Sequence, residues 1–407
     1  MHKAISIILS SIFALGSPGA ERKTAVPAAQ ESPARQDARA AGSAARQESL
    51  SEAGATSTSP LALPFKRSWQ YLTESASSIL PTLDEARIYL PLVGGRAVCL
   101  DRDTGSLLWT SEPGGLISAP IAVGESSVYI ASRKIAEDGS EAGASLRAVD
   151  KGTGLTLWVR DYERHFTSSL ALGKDRIYVG SADGSLYALA ASSGEPVWKF
   201  ATQDVVRGRA LLTEGAIYFG SDDGALYSIK PEDAKLIWRV QTGGKIIGKP
   251  AIDGPALYFG SGDGYAYSVD APTGKLRWRS RTGAAIEAGP VVVADRVLVA
   301  SFDNFIYALA KATGDRIWKR RLENRIAADP LVVGDATLIA PLRGEYVAVF
   351  LNSDGRRVNL YRLERGFEIV ADPILSGDLL LLSTDKGLVV ATTSQSKADN
   401  SRVVKNN

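Results

Sequence analysis

From about residue 65 onward, apolar and polar positions recur in one order along the chain. An apolar run often opens with proline twelve residues after an aromatic, at Pro81, Pro250, Pro290, Pro330 and Pro373. Proline is tolerated at the first residue of a strand, so this run predicts a strand a. A second run follows, as in Ile177-Tyr178-Val179-Gly180 or Leu257-Tyr258-Phe259-Gly260, and predicts strand b. Next come Asp183-Gly184, Asp223-Gly224, Asp263-Gly264 and Asp303-Asn304, residues that accept positive φ in a tight hairpin. Strand c follows with alternating character in Leu186-Tyr187-Ala188-Leu189. A further turn at Thr104-Gly105, Thr153-Gly154, Thr273-Gly274 or Thr313-Gly314 leads into strand d, which carries a tryptophan.

All seven tryptophans belong to this repeat: Trp69, Trp109, Trp158, Trp198, Trp238, Trp278 and Trp318, most of them 40 residues apart. The long interval, from Trp109 to Trp158, holds the Gly/Ser/Glu insertion Lys134 to Ser145. Beyond Trp318 the equivalent aromatic is Tyr361. A four-stranded unit of this kind cannot bury both faces alone, so neighbouring units must stack, and closing the stack into a ring removes its exposed ends. The first d strand, around Trp69, has no a, b and c strands before it, while the last unit, Phe367 to Ala391, has no aromatic d strand after it. Joining the two gives eight complete blades: an all-β, eight-bladed β-propeller over residues 65–392, closed by its N-terminal strand. The tryptophans and Tyr361 are then structural, filling the space between blades.

Composition fits one large repeated domain. Hydrophobic residues make up 45% and charged residues 23% of the 407 positions, which excludes global disorder. A formal charge of +2 gives no overall reason to bind nucleic acid or an anionic membrane. Met1-His2-Lys3 and the apolar Ala4 to Leu15 form the basic and apolar regions of a secretory signal over residues 1–20, too short to span a bilayer. Residues 21–64 are rich in Ala, Ser, Pro, Glu and Arg and read as a disordered tether, with a polar tail at 393–407. No transmembrane span is expected in the mature chain, nor a lipid-accepting cysteine after Leu15-Gly16. The one cysteine, Cys99, precludes an intrachain disulfide and reads as a buried apolar residue.

The string Ala148 to Trp158, and almost as well Ser268 to Trp278, resembles the repeat of pyrroloquinoline-quinone (PQQ) propellers across about residues 65–392. Two branches carry that repeat: quinoprotein dehydrogenases and the non-catalytic outer-membrane assembly factor BamB. In size and regularity the chain looks like the second. The resemblance implies a monomeric scaffold at the periplasm or the periplasmic face of the outer membrane, with a BamA-type barrel-assembly component as partner. In BamB-type proteins a loop from strand d to the next strand a carries an apolar residue, Arg and Gly at that interface, and Val206-Arg207-Gly208 looks similar. Arg209 and Lys249 join Val206 and Arg207 as candidate partner-binding residues. The neighbouring loop, where the family places acids, reads Lys245-Ile246-Ile247-Gly248-Lys249.

The enzyme alternative is a PQQ-binding or other small-ligand-binding periplasmic protein, up to a quinone-dependent dehydrogenase. It would need a calcium site, an Asp base and, in many members, a vicinal cysteine pair that one cysteine cannot supply. The aspartates fall mostly in Asp-Gly turns, which their backbone-bonding habit explains. His165, in Glu163-Arg164-His165-Phe166, is the sole mature histidine and reads as a solvated loop residue. No catalytic residue, metal site or cofactor is expected, PQQ entering only under the alternative. The d-to-a loops line one mouth of the central funnel, with Arg207, Arg209, Lys245 and Lys249 against Glu287, Asp329 and Asp372. If these face inward, the funnel is basic on one side and acidic on the other.

Overall fold

Hydrogen bonding gathers the strands into eight sheets that follow chain order. The computed structural model describes residues 65–73, 79–341, 343–377 and 379–392, and the backbone of Arg402–Lys405. The expected signal and tether lie outside the described residues. In the fifth blade, Ala251–Asp253, Ala256–Gly260, Tyr265–Asp270 and Leu276–Arg281 pair antiparallel in sequence. The prolines stand one residue ahead of strand a, and Gly184, Gly224, Gly264 and Asn304 take the positive φ that their hairpins require. In the second blade the insertion lengthens the b–c hairpin, Ser127–Ile135 against Glu141–Asp150, without disturbing the ring.

Closure happens as the repeat count predicts. Lys66–Leu72 pairs antiparallel with Gly387–Thr392 and supplies strand d of the eighth blade. The chain's end departs from the sequence reading. Instead of a tail without structure, Arg402–Lys405 adds a fifth strand, parallel to Lys66–Leu72. Its two valines are a weak strand signal by themselves, and the pairing covers an edge that would otherwise present unpaired backbone groups.

The hydrophobic core divides into clusters that each draw on two adjacent blades. Stacking on both sides explains why strands b and c are buried on both faces, as in Ala256–Gly260. Strands d are outer edges, so in Leu276–Arg281 the tryptophan is buried among exposed neighbours. Each tryptophan fits a complementary slot on the following blade. The indole N–H of Trp238 donates to the Ala271 carbonyl at 2.8 Å, and that of Trp278 to Lys311 at 3.0 Å. Gly274 and Gly314 lie beneath these rings, where an added Cβ would stand 2.7 Å and 2.6 Å from the indoles. The Thr-Gly turn of one blade is thus the floor for the tryptophan of the previous one. Tyr361 replaces this arrangement with an edge-on ring contact to Phe65, centroids 6.0 Å apart. Cys99 is buried between the first two blades, and burial pushes its thiol up to about 12.

Candidate functional site

The loops from strand d to the next strand a repeat one internal pattern, and that pattern decides which side chains reach solvent. Each places an apolar residue over the end of a strand b: Val206 on Gly180, Ile246 on Gly220 and Ile286 on Gly260. A Cβ on Gly180 would lie 2.1 Å from the Val206 carbonyl oxygen, so glycine is what lets the loop descend there. Val206 is consequently 0% exposed, a core residue rather than an apolar contact at the rim.

Arg207 is on the rim. Its Nε donates to Asp222 Oδ2 at 2.8 Å, and the Lys245 ammonium bonds the same oxygen at 3.0 Å. The Asp222 side chain is only 2% exposed, whereas Arg207 is 44% and Lys245 57% exposed. A sunken carboxylate therefore holds two cations upright, with one positive charge in excess. Asp222 was the unforeseen member. Its signal is a departure from the repeat: Ser221-Asp222-Asp223-Gly224 has an acid where the neighbouring blades have Ala182, Gly262 and Phe302.

Beside Arg207 opens a cavity of about 390 Å³, walled by Leu92, Val93, Leu116 and Phe166 and edged by Arg133 and His165. Glu141 of the lengthened hairpin ties this edge together, bonding Arg133 at 2.8 Å and His165 Nδ1 at 2.6 Å. His165 is thus a partnered residue, 27% exposed, rather than a freely solvated one.

Three residues after each buried apolar position, the loops place a ring of inward residues. Arg209, Lys249, Asp329 and Asp372 all line one cavity of about 570 Å³ with Leu80, Pro120 and Ser169. Of the seven charges expected to face the funnel, these four line the cavity, whereas Arg207 and Lys245 stand over Asp222 and Glu287 is not among the lining residues. Arg209 reaches Asp329, 120 positions further along the chain, and forms an ion pair with its Oδ2. The other oxygen of Asp329 accepts the Gly289 N–H at 2.6 Å, and the Asp329 N–H donates to Asp372 Oδ2 at 3.3 Å. Val206, Arg207, Arg209 and Lys249 form one group in the sequence. The structure separates them into core, rim and channel.

These loops, blades and clefts can be set beside known proteins. The family model for outer membrane protein assembly factor BamB matches residues 142–251 and 243–406. The chain belongs to the BamB family. Among solved structures, BamB from Moraxella catarrhalis is similar with a TM-score of 0.67 and 19% identity, covering 79% of this chain and 99% of that one. The computationally designed Ika8 protein is similar with a TM-score of 0.68 and 15% identity, covering 80% and 99%. At such identities these two likenesses speak for the propeller fold. No curated protein matches the sequence. Among the described residues, no three His, Cys, Asp or Glu side chains gather as metal ligands, and no helix is long and apolar enough to cross a membrane.

Asp372 gives the channel a measurable signature. Burial, reinforced by the Asp329 carboxylate and opposed by Arg209, pushes its pKa up to about 6 from an ordinary 3.8. The folded state then holds this proton more tightly than the unfolded chain does. Its contribution to stability is complete below about pH 4 and is lost as pH rises through about 6, to a limit of roughly 3 kcal/mol. Asp372→Asn should therefore raise the melting temperature at pH 8 and leave it nearly unchanged at pH 4. Equal shifts at both pH values would show that the carboxyl's ionisation is not the cause.

Proposed function

We propose that this propeller is an exported, non-catalytic scaffold that docks protein partners in outer-membrane β-barrel assembly, using the loop face around Arg207. One observation carries the proposal: the buried Asp222 holds Arg207 and Lys245 upright beside an apolar cleft. A preformed cation next to apolar surface suits an interface anchor, because arginine loses less entropy there when its fork is already oriented. The apolar walls offer burial and the surplus positive charge selects acidic partner groups. Family membership supports the assembly role, and the secretory pattern of residues 1–20 supports export. The partner of this reading is a BamA-type barrel-assembly component.

Affinity capture from envelope extract tests it, with the tagged chain run beside Arg207→Glu and the bound proteins identified by mass spectrometry. The unaltered protein should recover a barrel-assembly component that the variant loses, and Arg207→Gln, which removes the charge without setting a second carboxylate against the buried Asp222, should lose it too. Recovery of the same proteins by all three would remove Arg207 from the interface.

A further inference from the structure

Within the channel, the charges do not all satisfy one another. Arg209 and Asp329 form one pair. Lys249 is exposed into the cavity, and among the described residues its ammonium has no side-chain partner. Asp372 accepts a backbone N–H from Asp329 but has no ion-pair partner among the described residues. One unpaired cation and one unpaired, largely buried carboxyl therefore face the same cavity of about 570 Å³, a size in the usual range of roughly 300–1,000 Å³ for small-ligand sites. Leu170, Leu211, Leu331 and Ile374 add apolar wall to the same cavity.

We infer that the channel is a binding site for a small zwitterion of the amino-acid class, its carboxylate on Lys249, its ammonium on Asp372 and its side chain against the leucine wall. Charge arithmetic selects this class. The four channel residues sum to zero, from Arg209 and Lys249 against Asp329 and Asp372. A polyanion would bring its second and third charges against Asp329 and Asp372, and a polycation would meet Arg209 and Lys249. A ligand with one charge of each sign matches these two unpaired groups and leaves the Arg209–Asp329 pair undisturbed. That pair positions the site, since Asp329 in turn orients Asp372 through its backbone N–H. The site is separate from the rim on which the scaffold proposal rests, so either can fail alone.

Isothermal titration of the whole chain at pH 7.5 tests this with three probes: L-leucine, N-acetyl-L-leucine, which lacks the ammonium, and L-leucinamide, which lacks the carboxylate. L-leucine should bind saturably, and each derivative about 10-fold or more weakly, the usual consequence of losing one charged hydrogen bond. Lys249→Gln should abolish the preference for leucine over its amide, and Asp372→Asn the preference over the acetylated form. Lys235→Gln, at a surface site away from the channel and 74% exposed, should change neither. Absence of saturation by leucine up to about 50 mM, an affinity too weak to matter, overturns the proposal. So does equal binding of all three probes. If Asp372→Asn fails to fold, the Lys249→Gln comparison decides alone, because that side chain is exposed and bears no structural bond.

Discussion

Trp278→Ala should lower the stability of the propeller by about 3–5 kcal/mol, as large aromatic truncations in a core do. The ring is buried between the fifth and sixth blades, beside Tyr258 at 5.9 Å between centroids, and its N–H is committed to Lys311. Truncation leaves a cavity and an open seam, and the Lys311 carbonyl keeps only its longer bond from the Tyr258 hydroxyl, at 3.4 Å. The slot also predicts coupling. Gly314→Ala must place a methyl 2.6 Å from the Trp278 ring and adopt a φ of +77°. With the indole gone only the backbone strain remains, roughly 1–2 kcal/mol, so the double variant should be less damaged than the sum of the singles. Thermal or denaturant melts of the cycle would show it. Additive losses would mean that the glycine is required for φ alone.

Asp263→Ala should be the next most damaging change, about 2–4 kcal/mol from several bonds to one carboxylate. Its Oδ1 accepts the Tyr265 N–H at 3.0 Å. Its Oδ2 accepts the Tyr267 hydroxyl at 2.7 Å and the Gly243 N–H of the preceding blade at 3.0 Å. One side chain thus ends a hairpin and ties two blades, and Asp223 and Asp303 repeat the arrangement. Burial, then this carboxylate, raises the Tyr267 phenol. Because the carboxylate oxygens are already occupied, added calcium should leave the melting temperature unchanged. A calcium-dependent rise that Asp263→Ala removes would turn this position into a metal site and revive the dehydrogenase reading.

How much could be read from the chain follows from the range of the forces involved. Turn residues and the tryptophan interval act locally within one blade, so blade number, strand order and closure by Lys66–Leu72 were legible. The burial of Val206 was not, because its cause is Gly180, a residue in another strand that shapes no local pattern around the loop. Likewise, the reach of Arg209 to Asp329 depends on ring curvature, which brings distant loops face to face. Asp222 could have been noticed as the acid that breaks its repeat, yet only the fold shows it beneath both Arg207 and Lys245. The strand at Arg402–Lys405 owes its existence to an edge made by the other end of the propeller.

Closure by Lys66–Leu72 also gives the molecule a timetable. The first propeller strand to be synthesised is the last to find its partner, since Gly387–Thr392 emerges only after seven other blades have been made. Until then that strand, with Trp69, Tyr71 and Leu72 among its seven residues, has no antiparallel partner. Its pairing with Gly387–Thr392 is what closes the ring. Any force applied along the segment ahead of Lys66 would pull on this fastening before it reached any other blade.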